Sequence, residues 1–428
     1  MTGFIKTVGI RAVRGREFAW FNTGALCLSL LVAYYTRVFL FDVNLFHEWG
    51  QCGFSRDLLH IYQRSRSNLE YIYPPLGIYL CAALARLLDL LGIEWPSRAA
   101  LLVYRIPPIL GVYAGAFLAR DIGDRLYSGG RGFLVGALYA LSPPLLFASA
   151  VWGQWDSILV LAIVALVWAG VRRKDYLFGP IIGAALMFKP QISFVFPVII
   201  VQGILALGGR KCLVNCLLAA LVILILVSPF LLAGTGMELA HHYLRAPTIL
   251  PVRSVSAYNA WQPEIAIELA ISDPAGALPI NVCYMAGCGL WALITLEALR
   301  RLARQRSWEA CTEALVITLF GAFCVLTSMH ERYVVPAAAL SAILVARGIA
   351  GAGLYAALGA TGLINIADVY QLTVFQGGVR GGPVLPVVVG IANTLILLAM
   401  LFLLRDARKK RPDAVVETDC LENRMRET

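Results

Sequence analysis

Four short segments of this chain carry residue types that can do chemistry. Asp42 stands at the end of the first long apolar run, in FDVNLFHEWG. A carboxylate at the lip of a bilayer loses part of its hydration and becomes a stronger proton acceptor. A purely structural role, capping a helix over the same segment, fits it too. Trp152-Gly153-Gln154-Trp155-Asp156-Ser157 sets an amide and a carboxylate beside two indoles. Indoles offer flat apolar faces to a sugar ring, and the polar pair offers directional partners to its hydroxyls. The same residues also read as interfacial anchors, with Asp156 capping the next helix. Lys189 lies in the apolar MFKPQISF, where an ammonium must snorkel or find an anion. His330-Glu331-Arg332-Tyr333 follows another apolar run, and Arg332 has the forked donors that clamp a phosphate. Alternatively, Arg332 snorkels beside Glu331 as a surface pair.

These segments are held by a chain built for a membrane. It is 59% apolar and only 14% charged, with a mean hydropathy of +0.73, where a soluble domain carries roughly 25% charged residues. The short loops alternate in kind. Arg120–Arg131, Arg172-Arg173-Lys174, Arg210-Lys211, Arg300–Arg306 and Arg405–Arg411 are basic; the chemistry-bearing segments fall in the others. Polytopic proteins keep basic loops in the cytoplasm. The net charge of +10 therefore reports topology and not a nucleic-acid partner. Both termini are expected in the cytoplasm and the chemistry on the far side, at the periplasmic or exterior face of a plasma membrane. Lys6, Arg11, Arg14 and Arg16 precede a span with no small-residue cleavage site, so that span reads as a retained helix. The ten cysteines lie mostly inside apolar runs and show no metal or disulfide framework. All five histidines (His47, His60, His241, His242, His330) sit in expected exterior segments, but none pairs at helical spacing toward a third ligand. No metal is expected.

Spans are expected near 18–38, 99–119, 132–150, 158–171, 176–188, 191–207, 212–233, 280–299, 309–327, 334–348, 350–367 and 384–404. The pair meeting at Lys189-Pro190 is short enough to be one broken element. Pro74–Trp95 is long enough to cross, but counting it would place every later Arg-rich loop outside. Arg86 and Asp89 share one of its faces, so it reads as an amphipathic helix lying in the outer interface. The transmembrane domain is then 1–404, with a first exterior loop 42–98, a second at 234–279 and a cytoplasmic tail 405–428. The first exterior loop carries Asp42, Glu48, Asp57, Glu70 and Glu94. No internal repeat is visible.

An Asp directly after the first span, Tyr73-Pro74-Pro75-Leu76 opening an exterior helix, then VWGQWDS, FKPQ and HERY in that order resemble the GT-C superfamily. These are multi-span glycosyltransferases that use polyprenyl-phosphate sugars. The pattern is similar to the prokaryotic group related to the second mannosyltransferase of glycosylphosphatidylinositol synthesis, over about residues 20 to 405. The resemblance implies an all-α GT-C-type bundle of about 12 transmembrane helices with exterior juxtamembrane helices, the Pro74 helix among them. It also implies that Asp42 matches the catalytic acid of the first loop. Some members carry an acidic pair there. Here Asp42 has no acidic neighbour before Glu48, which makes Glu48 the reserve base.

The resulting expectation is transfer of a hexose, mannose first, from a polyprenyl-phosphate carrier to an acceptor hydroxyl of a glycan, lipid or protein, with inversion. Asp42 would take the proton. Arg332, His330 and Lys189 would hold the departing phosphate. Trp152, Gln154, Asp156, Tyr73 and Glu331 would place sugar or acceptor. The lipid-linked sugar is a co-substrate and no cofactor is expected. A lipid-linked saccharide flippase or transporter would instead show mid-membrane polar residues between repeated halves. An O-antigen ligase or polymerase would carry its main exterior loop late in the chain, whereas here it is early.

Overall fold

A helix rising 1.5 Å per residue needs about 20 residues to cross ~30 Å of hydrocarbon. In the computed structural model, which describes residues 15–63, 72–127, 129–245, 252–271, 278–376 and 382–403, eight helices are long and apolar enough to do so. Gly132–Ala140 and Pro143–Trp152, bent by 45°, form a ninth candidate. Each expected span is helical over most of its described residues. Three fall short: Asp156–Val171 and Val335–Leu344, which are mostly buried, and Asp175–Leu186, which packs against Gly209–Leu232. All of Val335–Leu344 is buried, and irregular or short segments are tolerated at membrane depth where protein surrounds them. Gly209–Leu232, by contrast, buries only Asn215 and Phe230, and Leu213, Leu217, Leu221 and Leu224 are exposed. Among the described residues there is no strand, only isolated bridges between Val255–Ser256 and His330. The Pro74–Trp95 segment folds as the helix Pro75–Leu91, which is not among the helices that meet the length and hydropathy test.

That helix packs against Leu40–Gln51, the helix that carries Asp42. Their contact depends on Gly50, where a Cβ would lie 2.4 Å from the Cys81 carbonyl oxygen. Phe46, Trp49, Ile78, Cys81, Tyr104 and Trp155 form the small core between them. The Asp42 helix starts at Leu40, so Asp42 falls in its first turn and the cap position is Phe39. The helix-capping alternative for Asp42 is thereby removed.

Among the described residues, several charges of the basic loops and of their surroundings are matched internally. Asp121 pairs with Arg172 and accepts from Trp168 Nε1 at 2.9 Å. Arg347 bridges Glu309 at 2.8 Å and Glu313 at 2.6 Å. Glu70, the basic residues before Gly15, and the 405–428 tail lie outside the described residues.

Candidate active site

Each chemistry-bearing segment arrives at one end of the bundle by a different local device. The helical segment Pro143–Trp152 finishes in a π-helical turn, Phe147–Trp152, closed by Gly153 with φ of 90°. A π-turn followed by a left-handed glycine re-aims the side chains that follow. The next residues are anchored on the helix Arg98–Leu126. Pro108 has no N–H to bond the Tyr104 carbonyl, and Trp155 Nε1 takes that carbonyl instead at 3.0 Å. Ser157 Oγ donates to the Pro108 carbonyl at 2.6 Å. Asp156 is the first residue of its helix, without a capping bond of its own.

The outcome is a held carboxylate. Trp152 Nε1 donates to Asp42 Oδ2 at 3.0 Å, and Gln154 Nε2 donates to the same oxygen. Among the described residues Oδ1 has no hydrogen-bond partner. Glu48, the reserve base, is exposed elsewhere on the Asp42 helix and does not line the cavity that Asp42 lines.

Beside it runs a buried chain of alternating charge. Lys189 Nζ meets Asp156 Oδ1 at 2.8 Å with both side chains under 5% exposed, and lies 5.1 Å over the Tyr73 ring. Arg332 Nε is 3.5 Å from Asp156 Oδ2, and its Nη1 bonds Glu331 Oε1 at 2.9 Å. His330 Nδ1 is 3.9 Å from Glu331 Oε2. The Glu331 side chain is 3% exposed and that of Arg332 15%, so the pair is not superficial. Burial, reinforced by Arg332 and Lys189, holds the His330 imidazole well below its ordinary value. His330 thus acts as a neutral ring. Burial raises the Glu331 carboxyl although Arg332 pulls the other way. For Arg332, burial opposes the charge, but Glu331, Asp42 and Asp156 outweigh it and raise its pKa. Burial likewise pushes the Tyr73 phenol well up, so it stays neutral.

A cavity of about 480 Å³ takes in Asp42, Gln154, Tyr73, Lys189, His330 and Arg332. Trp152, Asp156 and Glu331 do not line it. They stand behind the lining, where Trp152 fixes Asp42, Asp156 holds Lys189, and Glu331 holds Arg332. Gln154 Oε1 and Gln191 Oε1 are buried without hydrogen-bond partners. Both residues line the cavity, and such acceptors suit hydroxyl groups.

No protein-family model and no curated protein matches the chain. Among solved structures, it is similar to the crystal structure of ArnT from Cupriavidus metallidurans bound to undecaprenyl phosphate, at 15% identity. The match covers 90% of this chain and 76% of that one, with a TM-score of 0.49. At that level of likeness, the chemistry of the site rests on its own residues.

Two parts of the site were not visible in the sequence. One wall comes from Tyr284, Cys288 and Trp291 of the helix Ile280–Gln305. Their i, i+4, i+7 spacing puts them on one face, but the first half of that helix is apolar on nearly every side, so the spacing carries little signal. The other is the segment Ser254–Gln262, which enters the bundle and secures the HERY turn. Val255 N donates to the Met329 carbonyl at 2.9 Å. Asn365 Oδ1 accepts from Tyr258 N at 2.9 Å, and Asn393 Nδ2 donates to the Tyr258 carbonyl at 2.8 Å. Buried asparagines on two late helices were the available cue. Among the described residues, no group of His, Cys, Asp or Glu is arranged to hold a metal ion.

Proposed function

We propose that this protein is a membrane glycosyltransferase of the GT-C kind, moving a hexose from a polyprenyl phosphate to an acceptor hydroxyl. The observation that carries the reading is the pairing, in one cavity, of an oriented carboxylate with a buried lysine and a half-buried arginine. Asp42 is held through Oδ2 by Trp152 and Gln154, and Lys189 and Arg332 line the same space. Asp42 Oδ1 accepts the proton of the acceptor hydroxyl as its oxygen bonds the anomeric carbon. The bond from that carbon to the phosphate oxygen breaks on the opposite face, which inverts the centre. The leaving phosphate keeps the electron pair and needs no proton, so its stabilisation is electrostatic. Arg332 supplies the forked donors, with Glu331 and Asp156 setting its orientation. Lys189, already neutralised by Asp156, supports that arrangement, and His330 contributes as a neutral hydrogen-bonding group.

Mannose is the first-choice sugar, from the resemblance to the glycosylphosphatidylinositol mannosyltransferase group, and the far side of the plasma membrane is the first-choice location, from the loop charges. Purified protein incubated with radiolabelled polyprenyl-phosphate-mannose and a membrane lipid extract tests the reading. Label passing to a new product in the wild type, and about 100-fold less in Asp42→Asn, supports it. Label that stays on its carrier but crosses the bilayer points to transport instead.

A further inference from the structure

Arg105 takes no part in the chemistry above, yet it breaks the rule for buried charges. It lies about two turns into the helix Arg98–Leu126 and is 1% exposed. Among the described residues, no carboxylate is within ion-pairing distance of it. Its partners are neutral oxygens: Nη1 donates to Thr36 Oγ1 and to the Ala150 carbonyl, each at 3.1 Å. Nη2 donates to the Thr36 carbonyl at 3.3 Å, and Nε to the Leu101 carbonyl at 3.4 Å. A buried cation without a counter-ion is expensive, and an aliphatic side chain would fill the space without that cost. Packing alone does not account for the arginine.

What its acceptors share is their place in the chain. Thr36 is the exit of the first helix, just before the helix that carries Asp42. Ala150 lies in the π-turn that delivers Trp152 and then Gln154. Those are the two donors that hold the Asp42 carboxylate. The stem contributes as well, because Arg105 Cγ would lie 3.3 Å from a Cβ on Gly153, beside Val38 and Val43. From the other side, Tyr370 donates to the Arg37 carbonyl and its ring lies 5.9 Å from that of Trp152.

We propose that Arg105 is a positioning residue for Asp42: it holds the exit of the first helix and the π-turn in one register, so that the Trp152 and Gln154 N–H groups meet the carboxylate. This rests on the reading of Asp42 as the base. A residue acting in this way affects the chemical step more than substrate binding, since misplacing a reacting group by about 1 Å costs on the order of 100-fold.

The test is a double-mutant cycle in the purified full-length protein. Arg105→Gln should lower kcat by about 30-fold or more with KM within about threefold, and Arg105→Lys should recover part of the loss. In the Asp42→Asn background, Arg105→Gln should cost no more than about threefold, because the group it positions is gone. Equal fold losses in both backgrounds, or a loss confined to KM, would overturn the proposal. If Arg105→Gln does not fold, as judged by gel filtration in detergent, Thr36→Val removes a single acceptor. It should then cost about fivefold in the wild type and nothing in Asp42→Asn. No loss in either background, or the same loss in both, again overturns it. Trp152 emission, isolated as the difference from Trp152→Phe, separates failure of this proposal from failure of the Asp42 reading. Should Asp42→Asn retain full transfer, Asp42 is not the base. A shift of Trp152 emission in Arg105→Gln then still upholds the positioning role, and unchanged emission rejects it.

Discussion

Replacing Arg332 distinguishes a residue that grips a phosphate from one that merely neutralises Glu331. The guanidinium has five N–H donors and commits Nη1 to Glu331 at 2.9 Å. Its Nε and Asp156 Oδ2, 3.5 Å apart, are each without a hydrogen-bond partner. Nε is buried against that carboxylate, so the donors left for an incoming anion are the remaining Nη N–H groups of a side chain that lines the cavity. Losing one anion-hole donor costs about 2.7–4 kcal/mol of transition-state stabilisation, or about 100- to 900-fold in kcat/KM. Arg332→Gln should fall in that range. Arg332→Lys should lose less, about tenfold, because an ammonium keeps the charge but not the two-pronged contact. The deciding variant is the Arg332→Gln/Glu331→Gln pair. If Arg332 serves only to neutralise Glu331, which is 2% exposed, removing both charges relieves the cost of an unpaired buried group. If Arg332 grips the phosphate, the double variant stays as impaired as Arg332→Gln. Initial transfer rates over a titration of polyprenyl-phosphate-mannose, with folding checked by gel filtration, give the answer. Recovery of the double variant to within about fivefold of wild type would refute the phosphate role.

Trp152→Phe keeps the ring and removes one of the two donors on Asp42. It should lower kcat by about 5- to 15-fold through the loss of roughly 1–1.5 kcal/mol, and a rate equal to wild type would show that Trp152 does not orient the carboxylate. Lys189→Met leaves Asp156, 3% exposed, with only the longer 3.5 Å contact to Arg332 Nε. It should destabilise by about 3–5 kcal/mol in denaturant unfolding, with Lys189→Met/Asp156→Leu recovering most of that; a single-variant cost below about 1 kcal/mol would argue against a tight pair. For His330, the folded imidazole lies well below the ordinary 6.5, so the unfolded chain binds the extra proton. Stability is complete above about pH 6.5 and declines as pH falls below it; His330→Gln should flatten that decline, and an unchanged profile would exclude His330 as its source. In a cysteine-free background, Glu48→Cys should react with an impermeant thiol reagent added from outside whereas Lys174→Cys should not, and the reverse pattern would invert the orientation drawn from loop charge.

Much of the site was legible because a membrane makes polar residues conspicuous. In a chain that is 59% apolar, Asp42, the Gln154–Asp156 pair, Lys189 and Arg332 stand out by type alone, and all of them come together at one end of the bundle. Their division of labour was not legible. Trp152 and Asp156 have the composition of a sugar platform, yet both stand behind the cavity lining and orient the residues that form it. The sequence requires Lys189 to snorkel or find an anion without saying which, and the fold gives it Asp156 as a partner 33 residues away.

The sequence by itself determined the membrane class, the placement of the helical segments and the order of the chemistry-bearing turns. Each follows from local physics: hydropathy over the thickness of a bilayer, helix-breaking residues at the turns, and charge in the loops. Only the tertiary structure decided which oxygen of Asp42 is held, which cation faces which acid, and that Tyr284, Cys288 and Trp291 form a wall. Those outcomes depend on register between helices far apart in the chain, such as the 110 residues between Asp42 and Trp152. Register of that kind is set by close packing, as at Gly50 against the Cys81 carbonyl and at the buried Arg105. Apolar periodicity does not encode it, because a helix buried on every side looks apolar in every direction.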